Sequence, residues 1–185
     1  MKRPRRVFWS VPALFFLLVA ARDSRLSESQ RLLETADSFA RLYNWPAAAP
    51  LYNRAESLFQ ASGDRAGVLA ARLGGIWVTA DRGVSASSLR EVTSYLQDPL
   101  IESNSRLMLR ALIAKAVLER NTNEVSARES WERISKLSAG LGDRVWQNRA
   151  KAELGQILYM DGDVGTATVM LREALVSQWV LPGSW

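Results

Sequence analysis

The sequence predicts an all-α fold whose helices come in pairs. Three observations carry this. Apolar residues recur every three to four positions through most of residues 27–179. Short Gly/Asp motifs ("SGD" at 62–64, "LGD" at 141–143, "DGD" at 161–163) interrupt that rhythm. No stretch alternates apolar and polar residues as a half-buried strand would.

The elements follow in order. Leu32, Leu33, Ala36, Phe39, Ala40 and Tyr43 form a first apolar stripe, and Ser27 with Gln30 suits a capping box before it. "NW" and Pro46 mark a turn with proline in the first turn of the next helix. Ala48, Leu51, Tyr52, Ala55, Leu58 and Phe59 line that second helix, which Gly63 ends in a left-handed conformation. A third stripe runs through Val68, Leu69, Leu73, Ile76, Trp77 and Ala80, and "DRG" closes it. Ala86, Leu89, Val92, Thr93 and Leu96 suit a fourth helix, stopped by "QDP" before Pro99. Leu107, Leu109, Leu112, Ile113, Ala116 and Val117 suit a fifth, with "RNTN" as its turn. Val125, Ala127, Trp131, Ile134 and Leu137 line a sixth. Val145, Trp146, Ala150, Leu154, Ile157 and Leu158 line a seventh; Ala167, Met170, Leu171, Ala174 and Leu175 line an eighth. The resulting pairs span about 27–62, 65–98, 103–140 and 143–179. Trp77 and Trp131 lie on apolar stripes and read as core. The tail "SQWVLPGSW" is apolar, and the sequence leaves open whether it packs back on the last pair, meets something else or is the cut edge of a longer ancestral array.

The motif "DGD" superficially resembles an ion or phosphate loop. A calcium loop needs a bidentate acid at its twelfth position, and counting from Asp161 that position is Arg172. A phosphate loop needs a lysine after its second glycine, and none follows Gly165. The motif reads as a turn: Gly162 permits a left-handed backbone and Asp161 or Asp163 caps a helix end.

Charge and composition exclude several functions. With 185 residues and 48% hydrophobic side chains, the chain can bury a core. The formal charge is +5, but Lys2, Arg3, Arg5 and Arg6 precede any acid, leaving twenty basic against nineteen acidic residues from Arg22 onward. Nucleic-acid binding needs a concentrated basic surface, so no nucleic acid is expected. There is no Cys and no His, which removes thiol nucleophiles, disulfides, the usual zinc ligands and the commonest general base. No catalytic constellation, cofactor or metal site is expected, and the chain reads as a non-enzyme.

Residues 1–21 read as an address. "MKRPRR" precedes an apolar run of 15 residues from Val7 to Ala21, about 22 Å as a helix. Val19, Ala20 and Ala21 offer small residues near a cleavage point. The segment reads as a cleaved signal peptide or an uncleaved membrane anchor, with any membrane contact confined to residues 7–21. Residues 22–185 form the helical domain. It is expected outside the cytoplasm: exported (periplasmic or extracellular), or anchored in the inner membrane.

The pairs also repeat. Ala36, Phe39, Ala48, Tyr52 and Ala55 have the same spacings, 3, 9, 4 and 3, as Gly155, Leu158, Ala167, Leu171 and Ala174. Gly74, Trp77 and Ala86 reproduce the first part, while Ala127, Trp131 and Ile134 reproduce the second. Ala48, Ala86, Ala127 and Ala167 fall 38, 41 and 40 residues apart. A small residue lets two helix backbones approach, and a large one fills the groove beside it.

On these residues the chain resembles the tetratricopeptide repeat (TPR) family across about 27–181. Arg90 departs from the pattern, standing where a large apolar residue is expected. A period near 40, rather than about 34, resembles the extended repeats of kinesin light chains and bacterial arrays placed ahead of caspase-like (CHAT) domains. The resemblance implies a right-handed solenoid of about four antiparallel helix pairs. It implies a non-catalytic interaction scaffold that binds a peptide or protein on a concave face formed by the first helix of each pair. On that face Arg149, Gln156, Tyr159, Gln30 and Asp37 are the expected contact residues. The alternative is a regulatory or adaptor part of an enzyme system, such as a caspase-like peptidase, whose catalytic chain is separate.

Overall fold

The structure is a computed structural model, and it describes residues 26–80, 86–120 and 124–179. The expected signal segment, the turns "DRG" and "RNTN" beyond Arg120, and the tail after Trp179 lie outside the described residues. Every regular element among the described residues is helical: α1 Glu28–Arg41, α2 Trp45–Ser62, α3 Arg65–Thr79, α4 Ala86–Tyr95, α5 Pro99–Glu102, α6 Ser105–Glu119, α7 Glu124–Gly140, α8 Arg144–Met160 and α9 Val164–Trp179. The one-turn α5 was not anticipated from sequence. Pro99 does not simply stop a helix; it opens one, with the Asp98 carboxylate accepting the Leu100 N–H at 2.9 Å.

Local signals set the helix ends. Ser27 Oγ accepts the Gln30 N–H at 3.2 Å, and Gln30 Oε1 accepts the Ser27 N–H at 2.9 Å. Four turns then use one device. At each, a left-handed residue closes one helix and the next residue caps the following one. Gly63 (φ 71°), Gly142 (φ 67°) and Gly162 (φ 88°) precede Asp64, Asp143 and Asp163. Those carboxylates accept the N–H groups of Gly67, Trp146 and Thr166 at 2.9, 3.1 and 3.1 Å. The fourth turn substitutes Tyr43 (φ 59°) and Asn44, the only non-glycine at positive φ among the described residues. A side chain costs about 1 kcal/mol in that conformation, so the Tyr43 ring is held there against local preference.

Helices pack mainly on their sequence neighbours. α1 lies on α2, α2 on α3, α6 on α7, α7 on α8, and α8 on α9. α1 also touches α3, and α3 lies against α6. α4 approaches the backbone of α6 more closely than that of α3; its anchor is Val92, which is fully buried. Arg72 ties this region together, holding Glu56 of α2 (Nη2–Oε1 2.6 Å) and the Tyr95 hydroxyl of α4 (3.3 Å).

Close packing rests on small residues. Ala36, Ala48, Ala55 and Ala167 are wholly buried. A Cβ on Gly74 would overlap the Tyr52 ring, and one on Gly67 would overlap Phe59. At Gly155 the nearest atom to such a Cβ would be Leu171 Cγ, 3.0 Å away. Large side chains thus sit where a facing helix has no side chain. Trp131 is 1% exposed, and its indole N–H is the one buried side-chain polar atom without a partner among the described residues.

Candidate functional site

A cleft of about 870 Å³ opens on one side of the array. α1 supplies Asp37 and Arg41; α3 supplies Leu73, Gly74 and Trp77; α6 supplies Arg106, Leu109, Arg110 and Ile113. The remaining wall is the turn before α8 and its first residues, Leu141 to Trp146 and Asn148. No residue of α2, α4 or α9 lines the cleft. The face belongs to alternate helices, and their partners stand behind it.

Periodicity explains the lining of α6. Arg106, Leu109, Arg110 and Ile113 stand at i, i+3, i+4 and i+7, one face of a helix otherwise buried all round. Arg110 reaches across to α1. Its Nη1 donates to Asp37 Oδ1 at 3.0 Å, and its Nη2 donates to Asp37 Oδ2. Nη1 also lies 3.4 Å from the Ala70 carbonyl oxygen. Tyr52 donates its hydroxyl to Asp37 Oδ1 at 2.7 Å from behind. Burial pushes the Tyr52 hydroxyl pKa well above its ordinary value, and the Asp37 carboxylate adds to the shift. Burial works against the charge on Arg110, but Asp37 and Tyr52 outweigh it and hold the guanidinium pKa above its usual value.

A row of aromatic rings runs from the turn between α1 and α2 to Trp77 and Trp146, which line the cleft. Tyr43 meets Trp45 at 5.3 Å between centroids, Trp45 meets Trp77 at 5.5 Å, and Trp77 meets Trp146 at 5.2 Å, all edge to face. The Arg149 guanidinium sits 4.8 Å above the Tyr43 ring. These contacts bring α8 against the turn between α1 and α2.

Of the residues expected on the concave face, only Asp37 lines the cleft. Arg149 is engaged next to it: besides covering Tyr43, it donates through Nε to Glu153 at 2.8 Å. Gln156 and Tyr159 are exposed on the later turns of α8, and Gln30 is committed to the cap of α1. The sequence reading missed Arg41, Arg106, Arg110, Arg144 and Trp146 as cleft residues. The i, i+4 arginines on apolar α6 were the available signal.

Chemical reactivity elsewhere is limited. Lys115, Glu119 and Ser130 form a bonded trio, with Ser130 donating to Glu119 Oε2 at 2.7 Å and Lys115 donating to Ser130 Oγ at 3.0 Å. Ser130 is 2% exposed and Glu119 4%, and neither borders the cleft, so the trio joins α6 to α7 and admits no substrate. Among the described residues, no three or more acidic side chains gather as metal ligands would.

No protein family, curated protein or solved structure matches this chain.

Proposed function

We propose that the chain is a non-catalytic interaction scaffold of the TPR-like solenoid type, which binds a peptide or a segment of a partner protein in the cleft. One observation carries this reading: the cleft is walled by α1, α3, α6 and the start of α8, the alternate helices that a stack of helix pairs turns inward. Its volume and its mixture of apolar floor and polar rim suit an extended segment better than a flat protein surface. The basic-then-apolar start supports export of the helical domain or its tethering to a membrane. Among the described residues no helix is long and apolar enough to cross a membrane.

Capture of bound protein from cells, compared across surface variants, tests the reading. Asn148→Trp and Arg106→Trp crowd the cleft from half-buried and exposed positions and are expected to abolish capture. Gln156→Arg, on the exposed side of α8, is expected to preserve it. Equal capture by all variants would place the binding surface elsewhere.

A further inference from the structure

We infer that the occupant of the cleft is an acidic peptide segment, gripped by Arg41, Arg106 and Arg144. This rests on the proposed peptide-binding role of the cleft and adds the ligand's chemistry to it. The cleft contains four guanidinium groups and two carboxylates. Only Asp37 is ion-paired, so four guanidinium groups against two carboxylates leave the cleft an excess of two cations. Asp37 is held by Arg110 and the Tyr52 hydroxyl, and Asp143 caps α8 through the Trp146 N–H. Arg110 is correspondingly satisfied. The other three arginines are not: all are exposed, and none has a carboxylate partner among the described residues. Arg41 makes only a long contact, 3.4 Å, with the Ser38 hydroxyl of its own helix.

Cations without an ion pair are not peculiar to the cleft, since Arg31, Arg90, Arg133, Lys136 and Arg172 also make none among the described residues, but in the cleft three of them border one ligand-sized space. From Arg22 onward the chain is nearly balanced, at twenty basic and nineteen acidic residues. Most basic side chains that pair do so across helices, as Arg72 does with Glu56 and Lys151 with Glu173. The three cleft arginines sit on three different elements, α1, α6 and α8, around apolar surface offered by Trp77, Val145 and Trp146, with Leu73, Leu109 and Ile113 buried beneath it. A ligand that satisfies them carries carboxylates spaced along its length, with apolar side chains directed between them. Nucleic acid fits less well. Trp77 and Trp146 pack edge to face on each other rather than presenting parallel stacking faces.

The test is selection from a library of short random peptides on the full chain, followed by binding measurements on the winners. The expected result is enrichment of sequences rich in Asp and Glu that contain aliphatic or aromatic residues. Their affinity is expected to fall with added salt and to drop about tenfold or more in an Arg41→Glu, Arg106→Glu, Arg144→Glu triple variant. Circular dichroism of the variant shows whether the helices persist; Arg→Gln replacements at the same positions provide a milder second measurement. Enrichment of neutral or basic peptides that still compete for the cleft would overturn the inference while keeping the peptide-binding reading. Enrichment of nothing would overturn both. Displacement of the winners by single-stranded DNA at equal concentration would replace the peptide with a nucleic acid.

Discussion

Asp37 and Arg110 are 73 residues apart in sequence and are joined by a two-pronged ion pair that fixes α1 to α6 across the cleft. Both side chains are mostly covered, at 20% and 25% exposure, and Tyr52 completes the group from α2. The pair links α1 to α6, and both of its residues line the cleft.

Removing one partner leaves the other poorly solvated. Asp37→Ala strands the Arg110 guanidinium and the Tyr52 hydroxyl, and is expected to lower stability by about 2 kcal/mol. Equilibrium urea unfolding checks this. A double variant that also replaces Arg110 with Met is expected to recover part of the loss, because no unpaired charge remains.

Two adjacent glycines on α3 should behave oppositely. Gly74 faces the Tyr52 ring with no room for a methyl group, whereas a Cβ on Gly75 would meet nothing within 4 Å. Gly74→Ala is expected to destabilise by about 1–3 kcal/mol through overpacking. Gly75→Ala is expected to be neutral or to stabilise by up to about 1 kcal/mol through helix propensity. Thermal unfolding of the two single variants separates the outcomes.

The Tyr52 hydroxyl predicts a pH effect with a definite sign. Its pKa is raised in the folded chain by burial and by the Asp37 carboxylate. An unfolded tyrosine ionises near pH 10. The contribution is therefore complete below about pH 10 and lost above it, because there the unfolded state releases a proton that the folded state keeps. The decline attributable to Tyr52 approaches about 1.4 kcal/mol per pH unit. Tyr52→Phe is expected to be less stable at neutral pH, having lost the bond to Asp37, but to show a shallower fall on the alkaline side. Unfolding measured across that range in both proteins checks it.

Much of the fold was legible because its signals are local. The Ser27–Gln30 box and the left-handed Gly63 and Gly162 are set by a few neighbouring residues, and the apolar stripes report helix without tertiary knowledge. α5 was missed because Pro99 was read as a stop, although Asp-Pro also begins helices. The site was less legible. Periodicity gives the inward face of a helix but not how far along its length a ligand space falls. On α8 the aromatic contacts of Trp146 and the hold of Arg149 on Tyr43 bring the first turns, not those bearing Gln156 and Tyr159, to the cleft. The bond between Asp37 and Arg110 joins residues 73 positions apart, which no spacing between neighbouring residues encodes.

The most direct test of the proposed role places a photo-crosslinking amino acid at Asn148, inside the cleft, or at Gln156, outside it, in the full chain in cells. The account predicts a discrete adduct from position 148, mapping to one acidic segment of a partner, and none from position 156. Adducts from position 156 alone, or none from position 148 in a chain that is folded and in place, would contradict it.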